Sequence, residues 1–222
     1  MAEVVGITGN LALVNMMTAR EVYGNALVEL GRQRNDVVVL TADLMRSNKT
    51  GAFRSAFPAR FFNVGISEQD MVGMAAGMAL RGKVPFVSTF AAFASMRACE
   101  QVRTDVAYQN LNVNIVATHG GVTSTGGTTH YALEDLAIMR AIANMTVIVP
   151  GDPNQVGRAV RAVVERDGPS YIRIGRGMEP VVYENDDYEY QIGKAVTVKD
   201  GSDVTVIACG ICVFNALAAA RE

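Results

Sequence analysis

The sequence predicts an α/β protein: a doubly wound parallel sheet with helices on both faces, followed by the start of a second α/β unit. Three observations carry this. From Thr18 to Arg176, short apolar runs alternate with helix-period stretches. The runs are continuous and rich in β-branched residues, as in strands covered on both faces, which argues for a parallel sheet. The stretches between them open on helix N-terminal signals.

Taken in order, the helix starting at Thr18-Ala-Arg-Glu21 has a capping-box pattern and then Val22, Ala26, Leu27 and Leu30 at helical spacing. Strands are expected at residues 37–41 and 61–64. Ser67-Glu-Gln-Asp70 opens a helix that places Met71, Met74, Ala75 and Met78 on one side. Strands follow at 84–89, 113–118 and 146–149. Asp152-Pro153 supplies a capping residue and a first-turn proline to a helix with Val156, Ala159, Val160, Val163 and Val164. A strand at 171–174 completes the series. The acidic stretch 184–189 reads as an exposed linker. Beyond it, 195–199 and 204–208 read as two more strands, and Gly210 turns into a helix from 214 to 222.

Composition removes several classes of function. The 20 basic and 22 acidic side chains leave a formal charge of −2, so there is no basic footprint for nucleic acid or a membrane surface. The longest apolar run, residues 71–80, falls short of the ~18 residues of a spanning helix. Residues 1–17 lack a secretory pattern and read as a natural N-terminus. Three cysteines cannot make a disulfide framework, and Cys209-Gly-Ile-Cys212 has no partner ligands for a metal. A cytoplasmic protein is expected.

In an open α/β sheet, ligands bind beyond the carboxyl ends of the strands. Four such ends carry polar or aromatic residues: Asp43 and Ser47 after the first, Ser67 and Glu68 after the second, Phe90 and Phe93 after the third, and a Gly/Ser/Thr-rich loop after the fourth. That loop runs from His119 to His130, the only two histidines in the chain. A segment of this length without periodicity is uncommon in a compact domain unless it has a function.

These residues resemble a family. Gly65-Ile-Ser-Glu-Gln69 with Ala75-Ala-Gly77 is similar to the pyrimidine-binding domain of the transketolases, which use thiamine diphosphate. So are Thr41-Ala-Asp-Leu44 with Ser47-Asn48, Thr89-Phe-Ala-Ala-Phe93, Arg97-Ala-Cys-Glu-Gln-Val102, Ala132-Leu-Glu-Asp-Leu136 and Ile172-Arg-Ile-Gly-Arg176. The resemblance divides the chain into a pyrimidine-binding domain over 1–185, an acidic linker at 186–190, and the truncated start of the family's C-terminal domain over 191–222. It implies that Glu68 hydrogen-bonds the aminopyrimidine ring and drives the proton removal that activates the cofactor. It implies that Phe90 and Phe93 stack on that ring and that Asp43 lies near the cofactor. His119 and His130 would contact the sugar's oxygens and shuttle protons, and Arg20, Ser47 and Arg176 would hold a sugar phosphate.

Two departures sharpen the expectation. The family's acidic Gly-Glu-Asp-Gly is replaced by Ser124-Thr-Gly-Gly127, which implies an aldehyde or donor other than the usual pentose phosphates. The Gly-Asp-Gly run that holds diphosphate and Mg²⁺ is absent; Gly151-Asp-Pro153 departs at its third residue. The Mg²⁺ site is therefore expected on a separate N-terminal transketolase subunit, with the active site at the interface and the chain also self-associating. The reaction implied is transfer of a two-carbon ketol unit between phosphorylated sugars. A synthase of the deoxyxylulose-phosphate type and a non-catalytic binding or regulatory module are the alternatives.

Overall fold

A computed structural model describes residues 15–122, 126–183 and 188–221. Its elements are β1 (Met16–Met17), α1 (Ala19–Gln33), β2 (Val37–Thr41), α2 (Gly51–Ala56), β3 (Phe61–Asn63), α3 (Glu68–Leu80) and β4 (Val84–Phe90). There follow α4 (Cys99–Gln101), β5 (Asn114–Thr118), α5 (Asp135–Ala141), β6 (Thr146–Ile148), α6 (Pro153–Val163), β7 (Ser170–Arg173), β8 (Glu179–Pro180) and α7 (Cys212–Ala219). Each of the six strands expected before residue 176 forms, with ends shifted by a residue at most.

Those strands make one sheet in the order β3-β2-β4-β5-β7-β6, parallel throughout. Alternate residues of a strand face opposite sides. Val37, Val39, Phe86, Val116 and Ile172 pack with α1 and α6, while Val38, Leu40, Val87, Ile115 and Tyr171 pack with α3 and the helical segment after β4. Both faces are thus covered, and every residue of β2, β4 and β5 is buried. This is why these strands read as unbroken apolar runs.

The chain enters the sheet at β2, steps outward to β3, and then returns to add β4 on the other side. The segments leaving β2 and β4 consequently diverge, opening a crevice at their carboxyl ends. Residues 93–107 leave β4 as an irregular helix, α4 flanked by wide turns that close five residues back, such as Ala98 N–H to Phe93 C=O and Tyr108 N–H to Arg103 C=O. Wide turns of this kind rotate side chains relative to a regular helix and are frequent at functional sites.

Four local expectations are corrected, two helix caps and two strands. Thr18 and Ser67 do occupy the N-cap positions of α1 and α3, but neither side chain caps; the Thr18 hydroxyl donates to Met178 Sδ instead. Asp152 does cap α6, accepting from Gln155 N–H at 2.7 Å, and its second oxygen accepts from Val182 and Tyr183 N–H. Residues 195–199 and 204–208 form no strand. No neighbouring strand among the described residues offers them a ladder, and Val204 and Ile207 stand 77% and 91% exposed. Residues 184–187 of the acidic stretch 184–189, and residues 1–14, lie outside the described residues.

Candidate active site

The crevice is assembled from six chain segments. Glu68 is the first residue of α3, and its carboxylate is only 1% exposed. Its Oε2 accepts from the Arg97 guanidinium at 2.8 Å. Arg97 lies in the first wide turn after β4, four residues beyond Phe93, and spreads its guanidinium over the Phe93 ring at 4.3 Å. Phe93 and Phe90 stack with centroids 5.6 Å apart and planes 24° apart.

The two histidines complete the aromatic cluster. His119 lies 3.9 Å from the Phe90 ring, centroid to centroid. His130 meets Phe90 and Phe93 edge-on at 5.9 and 5.5 Å. A loop that begins and ends on one pair of phenyl rings thus brings residues 119 and 130 together. Its near end is held by Arg173, which donates through Nε to buried Asp135 and through its terminal nitrogen to Ala132 C=O. The Arg173 side chain fills the space where a Cβ on Gly120 would lie, so only glycine fits there. Gly121 bridges to Ala132 across the loop. Residues 123–125 lie outside the described residues, so Ser124-Thr-Gly-Gly127 is placed only at its last two glycines.

The arginine side of the crevice comes from α1. Arg20 donates to the Ser47 carbonyl at 2.7 Å, which brings the 42–50 loop against the helix. Gly24 makes that approach possible, because a Cβ there would run into the Lys49 carbonyl. Burial, together with the nearby charge of Arg176, lowers the proton affinity of Arg20. Burial and the positive charges of Arg20 and Arg176 push the His119 imidazole down to about 4, so it is neutral at physiological pH. Arg20 Nε is buried with no hydrogen-bond partner.

Glu68, Phe90, Phe93, His119, His130, Arg20, Ser47 and Arg176 thus converge at one end of the sheet. Asp43 sits at the same end but is turned toward β3: it adopts a φ of 58°, and its carboxylate is paired with the Asn63 amide at 3.3 Å. Three participants were not singled out from sequence. Arg97 stood in a motif without a role; its spacing of four from Phe93 was the available signal. Asn48 is fully buried beside Ser47 and contacts Thr118, which in turn contacts His119. Glu179, which faces Arg20, is held near neutral pH by burial and by Asp152, with a value of about 7.

Among the described residues, no group of three or more His, Cys, Asp or Glu side chains is placed to hold a metal. No helix there is long and apolar enough to cross a membrane. The residues present fit one part of a flat heteroaromatic cofactor. An aromatic pair and a buried carboxylate, the groups that meet such a ring by stacking and by hydrogen bonding, stand together there.

Comparison with known proteins bears on this arrangement. Residues 15–180 match the family described as transketolase, pyrimidine binding domain. The chain is 48% identical over 202 residues to a putative transketolase C-terminal section from Methanocaldococcus jannaschii, covering 90% of this chain and 64% of that one. It is 42% identical over 203 residues to an apulose-4-phosphate transketolase subunit of Phocaeicola vulgatus, covering 91% and 65%. A solved structure described as a split gene transketolase, inactive β4 tetramer, superposes with a TM-score of 0.85 at 48% identity, covering 93% of this chain and 67% of that one. The chain therefore spans a little under two thirds of the length of the curated relatives it matches.

Proposed function

Because the chain belongs to the transketolase family and carries its pyrimidine-binding domain, we propose that it is one subunit of a split, thiamine-diphosphate-dependent transketolase. In this reading it transfers a two-carbon ketol unit between sugars or sugar phosphates, in the cytoplasm. A separate N-terminal subunit supplies the diphosphate and Mg²⁺ site, and copies of this chain also associate with each other. The kinship with a transketolase C-terminal section and with a protein that is itself one subunit of a transketolase supports the split arrangement. The observation that carries the reading is the continuous cluster Glu68–Arg97–Phe93–Phe90, with both histidines on the phenyl pair.

Thiamine diphosphate, when bound, supplies the electron sink that cleavage of a sugar carbon–carbon bond requires. The chain's own residues do the rest. Phe90 and Phe93 bind and orient the pyrimidine by stacking. Glu68, with Oε2 taken by Arg97, has Oε1 left to hydrogen-bond the ring. His119 and His130 position the sugar's hydroxyl oxygens and move protons at them. Arg20 and Arg176 hold a phosphate by charge-assisted hydrogen bonds, beside the 42–50 loop that carries Ser47.

The test is exchange of the cofactor's C2 proton in the complex with the N-terminal subunit. Glu68→Gln keeps the shape and removes the acid–base function, so exchange falls by about 10²-fold or more while far-UV dichroism is unchanged. Unchanged exchange removes Glu68 from catalysis. Tight binding of thiamine diphosphate and Mg²⁺ by this chain alone, measured by calorimetry, overturns the split site.

A further inference from the structure

We propose that Glu179 is a specificity-determining residue of the anion subsite: a ligand anion held by Arg20 and Arg176 binds together with a proton taken up by the Glu179 carboxyl. The inference rests on the phosphate role given to those two arginines above. The antiparallel pair β1–β8 brings the three groups together. Met17 pairs with Glu179, so the start of α1, which carries Arg20, meets the segment leaving β7, which carries Arg176. The Glu179 carboxyl occupies the space that a Cβ on Gly175 would fill, and so lies against the backbone next to Arg176.

Arg20 has bonding capacity left for such a ligand. One terminal nitrogen donates to the Ser47 carbonyl at 2.7 Å, while Nε is buried with no hydrogen-bond partner. Two carboxylates act on this guanidinium, Glu21 and Glu179. Glu21 is exposed and paired with Lys49 at 3.0 Å, so water and that ammonium screen it. Glu179 is the enclosed one, and it faces Arg20 at the start of α1 and Asp152 at the start of α6. Asp152 is itself held by the backbone N–H groups of Gln155, Val182 and Tyr183. Arg176 and His119 are the other titratable groups that face Arg20, from beyond the ends of β7 and β5.

Burial and Asp152 favour the protonated Glu179, whereas Arg20 favours the ionised one. Two guanidinium charges against one carboxylate leave a single positive charge for a ligand, and a proton on Glu179 restores both. An anion seated on Arg20 cancels the attraction that keeps Glu179 ionised and adds a repulsion of its own. The carboxyl therefore takes a proton from water as the anion binds. Glu179 stands at about 7 before the ligand arrives, so this uptake falls in the physiological range. By linkage, affinity for the anion falls as pH rises above about 7, where the proton must be supplied along with the ligand. An uncharged sugar carries no such dependence. Residue 179 thus selects on ligand charge without touching the ligand.

Inorganic sulfate is the probe, because it stays a dianion near neutral pH and contributes no proton of its own. It is titrated into the ¹⁵N-arginine-labelled chain in steps from about pH 6 to about pH 8.5, with the Arg20 Nε–H signal, identified by its loss in Arg20→Gln, reporting occupancy. Native affinity is expected to fall about tenfold across this range. Glu179→Gln is expected to bind as tightly at the alkaline end as at the acid end. His119, at about 4, is neutral throughout, and comparison with the variant removes any contribution of His130. In parallel, saturating sulfate moves the titration midpoint of the Glu179 carboxyl ¹³C signal upward, which a merely structural carboxyl would not show. A native profile flat with pH, or one that Glu179→Gln leaves unchanged, overturns the proposal while the phosphate assignment stands. Sulfate binding that is absent at every pH, or undiminished in Arg20→Gln, overturns both. Failure of the C2-exchange test leaves the sulfate result in place.

Discussion

Replacing Glu179 with glutamine exposes a pH dependence that the native chain conceals. Glu179 lies in β8, opposite Met17, with its carboxyl in the space left by the missing side chain of Gly175. Burial and Asp152 raise it from 4.5 to about 7. The folded chain therefore binds this proton more tightly than the unfolded one, and stability falls as pH rises from 4.5 to 7. His119 has the opposite sign. Its value drops from 6.5 to about 4, so the unfolded chain takes up the proton first and stability falls as pH drops from 6.5 to 4. At about 1.4 kcal/mol per tenfold change in proton affinity, each effect is worth at most about 3 kcal/mol. Between pH 4.5 and 6.5 they oppose one another and nearly cancel. Glu179→Gln removes one of the pair. Relative to the native chain, the variant gains about 2–3 kcal/mol on going from acid to mildly alkaline pH. Urea unfolding followed by far-UV dichroism in steps across this range measures the difference. His119→Gln gives the mirror image, losing a similar amount relative to the native chain as pH rises to 6.5. A stability difference that stays flat with pH in both variants would refute the reasoning.

Further outcomes follow from other contacts. Asp135→Asn weakens the buried pair with Arg173 at 3.0 Å and the Tyr171 hydroxyl bond at 2.8 Å. It should destabilise by about 3 kcal/mol, within the range for broken buried pairs, and speed amide exchange at Gly120 and Gly121. Unchanged protection there would show that Arg173 does not hold the histidine loop. Asp152→Ala loses three backbone N–H bonds at the start of α6. About 2–4 kcal/mol of stability should go with them, and a thermal midpoint within a degree or so of native would contradict that role. In the complete enzyme, Arg176→Gln should raise KM for a phosphorylated sugar about tenfold or more while kcat changes little. An equal effect on an unphosphorylated sugar would remove the phosphate assignment.

Sequence reading recovered most of the sheet because burial on both faces leaves a local imprint. Val37–Thr41 and Val84–Phe90 are buried at every position, and an unbroken apolar run is what that environment selects. The pairing of β1 with β8 left no such imprint: each has two residues, and the partners lie far apart in the chain. The six-residue α2 is too short to show a period. Residues 195–199 and 204–208 show the reverse error. Their pattern suits a strand, but a strand needs a neighbour to pair with, and local composition does not report whether one is present.

The candidate site divides in the same way. Glu68 opening a helix, Phe90 and Phe93 at the end of a strand, and two histidines bracketing one loop were all visible from residue type and position along the chain. The ion pair of Arg97 with Glu68 spans 29 positions and the Thr118–Asn48 bond spans 70, so no local window contains either pair. Asp43 shows the limit from the other direction, since its place at the end of β2 was legible while its pairing with Asn63 was not.

By itself, the sequence determined the class of fold and the set of chemical groups at the carboxyl end of the sheet. Hydrophobic period and residue type are properties of short segments, and strand ends are where α/β sheets present ligand-binding groups. Tertiary structure alone decided which groups meet and in what protonation state. Arg97 holds Glu68, Thr118 joins Asn48 to His119, and burial moves His119 and Glu179 in opposite directions. Those states depend on desolvation and on charges contributed by distant segments, and both exist only once the chain has closed around them.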